Sequence, residues 1–203
     1  GHDFRRISLV AAINPDGALF SSDFRAPERL FALLMQAGGR AGRDAAQSAR
    51  SEMWVQTFYP AHALFEALKK HDYPAFAEQQ LKERLEASLP PHSFQALIRS
   101  DARTQAVAQA FLNHANNQLQ TLLPELSQAD AALLSEVSVY PAVPMSIQRV
   151  ANVERAQMLM ESTSRKALHK ALDVLQQLLY ESKSDPAHKG LIRWLVDVDP
   201  LAI

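Results

Sequence analysis

The chain has 203 residues, enough for one large domain or two small ones, and its 47% hydrophobic and 21% charged residues are a globular balance. A net charge of −1 excludes a global basic field, so any nucleic-acid contact has to come from local patches. With no cysteine, disulfides and thiolate zinc sites are excluded within these residues, and no apolar run approaches the ~20 residues of a membrane span.

In chain order, Gly1-His2-Asp3-Phe4-Arg5-Arg6 lacks an initiator methionine and has no signal-peptide pattern; it reads as the middle of a larger protein. Ile7 to Ile13 predicts a short buried strand, ended by the turn residues Asn14-Pro15-Asp16-Gly17. Pro27 opens a helix in which Leu30, Phe31, Leu34 and Met35 recur at helical spacing up to the glycines. Met53 to Phe58 predicts a second strand. Helices follow over about Ala61 to Lys70 and Pro74 to Ser88. Strand, helix, strand, helix is the order of a parallel α/β sheet, and a sheet this small is incomplete.

Leu89-Pro90-Pro91 breaks the pattern and predicts a domain boundary. Beyond it, Phe94, Ala96 and Ile98 mark a strand, and Val107, Ala108, Phe111, Leu112, Ala115 and Leu119 an amphipathic helix. Val137 and Val139 mark a second strand; Ala156, Met158 and Met160 mark a third. Leu168, Leu172, Leu175 and Leu179 mark a second helix capped by Ser164, and Ile192 to Val198 the last strand. The sum is β-α-β-β-α-β, the ferredoxin-like order, with a four-stranded antiparallel sheet and both helices on one face.

Five clusters carry candidate chemistry. Gln36-Ala37-Gly38-Gly39-Arg40-Ala41-Gly42-Arg43 gathers half of the chain's 6 glycines around two arginines. Glycines permit close backbone approach and arginines match phosphate oxygens, so the run reads either as a phosphate grip or as a basic turn. Gly1-His2-Asp3-Phe4 carries little alone. Asp23-Phe24-Arg25-Ala26-Pro27-Glu28-Arg29 reads as a charged helix start, with Glu28 favourable near the positive end of the dipole. Arg165 and His169 share a helix face at i, i+4, beside Lys166 and Lys170, as ordinary solvated faces also do. Asp197 and Asp199, two apart on a strand, point to one side; they are too few for a metal and read better as a charged sheet edge. No H-E-x-x-H, G-x-S-x-G or P-loop pattern occurs.

Together these residues resemble the C-terminal part of the PriA family, the primosomal replication-restart helicases. Gln36 to Arg43 is similar to helicase motif VI, Q-x-x-G-R-A-G-R, and Gly1-His2-Asp3-Phe4 to the end of motif V. Asp16, Leu19, Asp23-Phe24-Arg25-Ala26 and Glu28-Arg29 match a D-x-x-L-x-x-x-D-F-R-A-x-E-R segment; Gln56-Thr57, Pro60 and His62 match Q-T-x-x-P-x-H. His71-Asp72-Tyr73, Phe76, Leu89-Pro90-Pro91, Ser164-Arg165 and Val196 to Pro200 continue the series to the end.

The resemblance implies an α/β plus α+β chain. Residues 1–70 are then part of a RecA-like helicase lobe, 71–91 a helical connector, and 92–203 a ferredoxin-like C-terminal domain for DNA and partners. It implies a cytoplasmic bacterial protein, nucleoid-associated and free of membrane, which unwinds DNA 3′ to 5′ at the expense of ATP. Such a protein restarts stalled forks and promotes loading of the replicative helicase. Arg43 and Arg40 are the implied catalytic pair at the γ-phosphate, where an arginine finger is worth ~10³–10⁵ in rate. Gln36 and Gly39 belong to the same nucleotide site, and Gly1 and Asp3 couple it to DNA. ATP, Mg²⁺ and Zn²⁺ are cofactors implied for the full-length protein. Their P-loop, acidic motif and zinc cysteines lie upstream in the family, so these residues hold no metal and are expected to lack ATPase activity alone. Implied partners are branched and single-stranded DNA, other primosome proteins and the acidic C-terminal tail of single-stranded DNA-binding protein. Arg165 matches the arginine of the tail pocket, and His169 stands where the family pattern has glutamine. The alternative is a stand-alone ferredoxin-like module that binds nucleic acid or an acidic peptide without catalysis.

Overall fold

The computed structural model describes residues 7–39 and 52–201. They fall into two compact units that divide between Glu86 and Ala87.

In the first unit, β1 (Leu9–Ile13) and β2 (Glu52–Gln56) pair in parallel, Leu9 opposite Glu52 through Ile13 opposite Gln56. Between them stand a short α1 (Asp16–Leu19) and α2 (Ala26–Gly38), and after them α3 (Ala63–Lys70) and α4 (Tyr73–Glu86). The expected strand–helix–strand–helix order is present, with one addition: Asp16 and Gly17, read as turn residues, open α1. A left-handed Asn14, φ 50°, makes the turn before it. Successive residues of a strand face opposite sides. Ala12, Met53 and Val55 therefore lie on a core of Leu30, Phe31, Leu34, Leu64, Phe65, Leu68 and Phe76, while Leu9, Ile13 and Trp54 face outward. Phe31 and Phe76 stack with centroids 4.3 Å apart and fasten α2 to α4. Residues 71–91, read as a connector, thus contain the whole of α4, and Phe76 sits in this core. The described residues of this unit hold two strands and four helices.

The second unit runs β3 (Phe94–Ala102), α5 (Gln105–Leu122), α6 (Gln128–Ser135), β4 (Val137–Val139), β5 (Val143–Val150), β6 (Val153–Ser162), α7 (Arg165–Ser182) and β7 (Leu191–Val198). The sheet is antiparallel throughout, in the order β4-β6-β3-β7, with β5 also on β6. The β-α-β-β-α-β arrangement is therefore present, with one correction: the sheet has five strands, not four. β4 pairs with Met160 to Ser162 and β5 with Val153 to Gln157, so both share one lane along β6. Pro141 interrupts that lane because it has no N–H to give to the ladder. Beside it Ala142 leaves the sheet: its N–H donates to Asn113 Oδ1 (3.0 Å) and its carbonyl accepts from Gln109 Nε2 (3.1 Å), both on α5.

Both long helices cover one face, as expected. Ala96, Ile98, Ala156, Met158 and Met160 from the sheet form one core with Phe111, Leu112 and Ala115 of α5 and Leu168, Leu172, Leu175 and Leu179 of α7. Each buried leucine contributes ~1.5–3 kcal/mol. Thr104 caps α5 by accepting from Val107 N, and Ser164 caps α7 by accepting from Ala167 N.

Candidate functional site

Two sites were expected, one in each unit. In the first, α2 carries the glycine–arginine run at its C-terminal end. Gln36 is exposed there. Gly38 is still helical, and a Cβ on it would meet Met53 Sδ at 3.1 Å, so glycine lets α2 lie close on β2. Gly39 closes the helix, its N–H donating to Met35 O at 3.0 Å. That donor is spent within the helix. Arg40, Arg43, Gly1 and Asp3 lie outside the described residues.

The segment before the run is a clamp on α2. Asp23 accepts from Arg25 N through Oδ1 (3.0 Å) and pairs with Arg29 through Oδ2 (2.9 Å). Glu28 has the expected place in the first turn of α2, and it also pairs with Arg84 of α4 at 2.8 Å. The guanidinium carbons of Arg25 and Arg84 lie 4.8 and 4.9 Å from the centre of the Phe24 ring. Arg84 is buried, and sequence reasoning missed it because α4 is charged on several faces. Asp16 is buried too. Its carboxylate accepts from the Thr57 hydroxyl and from Phe58 N (2.9 Å), tying the start of α1 to the end of β2. His62 caps α3, Nδ1 accepting from Leu64 N (3.2 Å).

In the second unit Arg165 is the first residue of α7. Its guanidinium lies over the Phe94 ring, 4.6 Å from the centroid, and Nη2 stands 3.4 Å from Asp199 Oδ2. Arg165 and Asp199 are both about half exposed at the side chain, 57% and 49%. Phe94, at the start of β3, supplies a flat apolar floor; sequence reasoning placed it in the strand but not under the arginine. His169 is exposed one turn along α7, on the same helix as expected.

The aspartates at the end do not share a side. β7 stops at Val198, and Asp199 turns into the left-handed region at φ 54°, its N–H donating to Gln95 O (2.9 Å). Asp197 pairs with Arg99 at 3.4 Å, and Asp199 with Arg165. Each carboxylate has its own cation, so the pair offers no metal site. Among the described residues no group of three histidine or acidic side chains could hold a metal ion. On the sheet face away from the helices, Asp101 of β3 accepts from Arg193 of β7 (2.7 Å) and lies 3.8 Å from Arg155 of β6, a charge bridge across three strands. Tyr140 donates to Glu161 Oε1, and that hydrogen bond raises the phenol above its ordinary range. Gln95 Nε2 holds the other oxygen of Glu161 at 3.3 Å.

Fold and site define a mixed α/β protein. A parallel βαβ unit carries an arginine-rich run after its crossover helix, and an antiparallel split-βαβ unit carries a stacked, exposed arginine. Residues 85–201 match the family model described as the primosomal protein N C-terminal domain. The replication restart protein PriA of Haemophilus influenzae is 37% identical over 200 residues, covering 98% of this chain and 25% of that protein. The protein of the same name from Synechocystis is 28% identical over 203 residues, 100% of this chain and 22% of its own. That of Bacillus subtilis is 37% identical over 98 residues, 48% of this chain and 12% of its own. The chain belongs to the PriA family. It spans a quarter or less of the length of these curated relatives. Among solved structures, a dimeric ferredoxin-like protein from an uncultured marine organism covers 53% of this chain and 85% of its own. At 15% identity and a TM-score of 0.27 it carries no weight; the strand order itself does. No helix among the described residues is long and apolar enough to cross a membrane.

Proposed function

We propose that this chain is the C-terminal portion of an ATP-dependent 3′-to-5′ DNA helicase that restarts stalled replication forks and promotes loading of the replicative helicase. The observation that carries the reading is the match of 98% of the chain to a replication restart protein, with Q-x-x-G-R-A-G-R beginning at Gln36 in the last turn of α2. Arg43 and Arg40 are the side chains for the γ-phosphate, and the spent N–H of Gly39 supports giving that task to arginines. Gln36 senses the nucleotide, Gly39 shapes the run around it, and Gly1 and Asp3 couple it to DNA. The P-loop that must complete the ATP and Mg²⁺ site is not in this sequence, and Zn²⁺ belongs to other parts of the full-length protein.

The second unit recognises DNA and partner proteins. Arg165, with His169 one turn along, takes the carboxylates of the acidic C-terminal tail of single-stranded DNA-binding protein. What supports this is the geometry: the guanidinium lies over Phe94 and is half exposed, with N–H donors open to a ligand carboxylate apart from the 3.4 Å contact of Nη2 with Asp199.

The test of the nucleotide site uses the full-length protein. Arg43→Ala lowers DNA-stimulated ATP hydrolysis by ~10³-fold or more while nucleotide binding stays measurable. Near-normal turnover in that variant removes Arg43 as the finger. The chain alone shows no ATPase activity, and DNA-stimulated turnover by these 203 residues refutes that part of the reading.

A further inference from the structure

The carboxylate that Arg165 faces in this structure belongs to the chain itself. Asp199 is no loose side chain that wandered into contact. Its backbone N–H is fixed to Gln95 O at 2.9 Å, its φ of 54° is left-handed, and Pro200 behind it is fully buried. Aspartate and asparagine are the non-glycine residues that tolerate that region best. A rigid corner therefore presents a carboxylate to the arginine on which the proposed function relies.

The contact itself is weak. One nitrogen meets one oxygen at 3.4 Å, between side chains 57% and 49% exposed. A carboxylate that engages both arms of a guanidinium sits at ~2.7–2.9 Å and binds more strongly. Phe94 holds the guanidinium plane in place, so displacing Asp199 does not require Arg165 to be rebuilt.

We infer that Asp199 is an internal competitor that sets the affinity and selectivity of the Arg165 site for acidic peptides. This rests on the reading of Arg165 as a carboxylate-binding residue. With no ligand, Asp199 occupies the arginine and repels stray anions. A peptide with a free C-terminal carboxylate wins because it makes the two-armed contact that Asp199, held by its backbone, does not make. The site is thereby tuned to bind its ligand weakly enough to release it.

The test is fluorescence anisotropy of a labelled acidic peptide, four aspartates followed by a C-terminal phenylalanine with a free carboxylate, titrated with the 203-residue chain. Wild type, Asp199→Asn and Arg165→Ala are compared, each checked by circular dichroism. Asparagine keeps the left-handed backbone and removes the charge. Exposed ion pairs are worth few enough multiples of RT that Asp199→Asn is expected to tighten binding by about 2- to 5-fold. Arg165→Ala is expected to weaken it by ~10-fold or more, as charged partners of carboxylates do. Loss in Arg165→Ala with unchanged or weaker binding in Asp199→Asn overturns the competitor role and leaves the pocket standing. Equal binding by wild type and Arg165→Ala overturns the pocket itself, and the competitor role with it.

Discussion

Replacing Asp16 by alanine removes a buried carboxylate that holds two segments of the first unit together. Both oxygens are in use, one accepting from the Thr57 hydroxyl and the other from Phe58 N at 2.9 Å. A hydrogen bond to a charged group contributes ~1.5–3 kcal/mol net, so two give ~3–6 kcal/mol as an upper figure. The residue that donates one of them, Phe58, is 87% exposed, so water can replace the lost acceptor. The expected loss is therefore about 2–3 kcal/mol, from the buried end of the pairing. The chain has 2 tryptophans, Trp54 in β2 and Trp194 in β7, one in each unit. In a Trp194→Phe background, Trp54 fluorescence follows the first unit alone through a urea titration. Asp16→Ala should move the midpoint down by ~1–2 M with an unchanged slope, given slopes of ~1–3 kcal/mol/M. Thr57→Val should produce about half that shift, and the double variant should fall short of the sum, because the two residues share one interaction. A loss under ~0.5 kcal/mol would mean that Asp16 is solvated in solution and that the junction of α1 and β2 does not depend on it.

Two further perturbations read the second unit. Phe111 is fully buried and packs T-shaped against the His188 ring, centroids 5.4 Å apart, so Phe111→Ala should cost about 3–5 kcal/mol. Followed by Trp194 in a Trp54→Phe background, the transition should shift to lower urea; a shift worth less than ~1 kcal/mol would remove Phe111 from the core. Tyr140 titrates above the ordinary phenol range because it donates to Glu161. A raised pKa in the folded state means that this contribution is fully present below the unfolded value of ~10 and is lost as pH rises through the folded value. Ultraviolet absorbance of phenolate should show one of the 4 tyrosines titrating late, and Glu161→Gln should bring it back toward the others. No change on that substitution would break the assigned pairing.

What the sequence made legible was what its spacing enforced. Leucines at 168, 172, 175 and 179 leave α7 one way to bury them, and Ser164 marks where that helix begins. Strands β3 and β6 were legible because Ala96, Ile98, Ala156, Met158 and Met160 all serve one covered face. β5 carries no such signature. Val143, Ile147 and Val150 are largely exposed, and Pro144 argues against a strand, so its pairing to β6 is a consequence of chain direction after Pro141 rather than of pattern. α6 was hidden for a related reason: among its residues only Leu134 is buried. The Arg165 site was half legible. The arginine stood out, but its floor Phe94 and its neighbour Asp199 come from opposite ends of the second unit, and no local spacing links them. The reading that put Asp197 and Asp199 on one side assumed a strand that ends one residue too soon.

The same distinction orders the motif residues of the first unit. Asp16, Thr57, Asp23, Phe24, Arg25, Glu28, Arg29 and His62 belong to the series that resembles the family, and each of them is engaged in holding the unit together. Five of them, Asp23, Phe24, Arg25, Glu28 and Arg29, gather at the start of α2. Asp23 and Arg29 brace its first turn, and Glu28 with Arg84 ties that turn to α4. The other end of α2 is then fixed by Gly38 against Met53. A helix C-terminus carries the negative end of the dipole, which favours cations and disfavours phosphate at the backbone. In the sequence Arg40 and Arg43 come directly after that end of α2, where positive charge is the favourable kind. Most of the motif is thus a mount for α2.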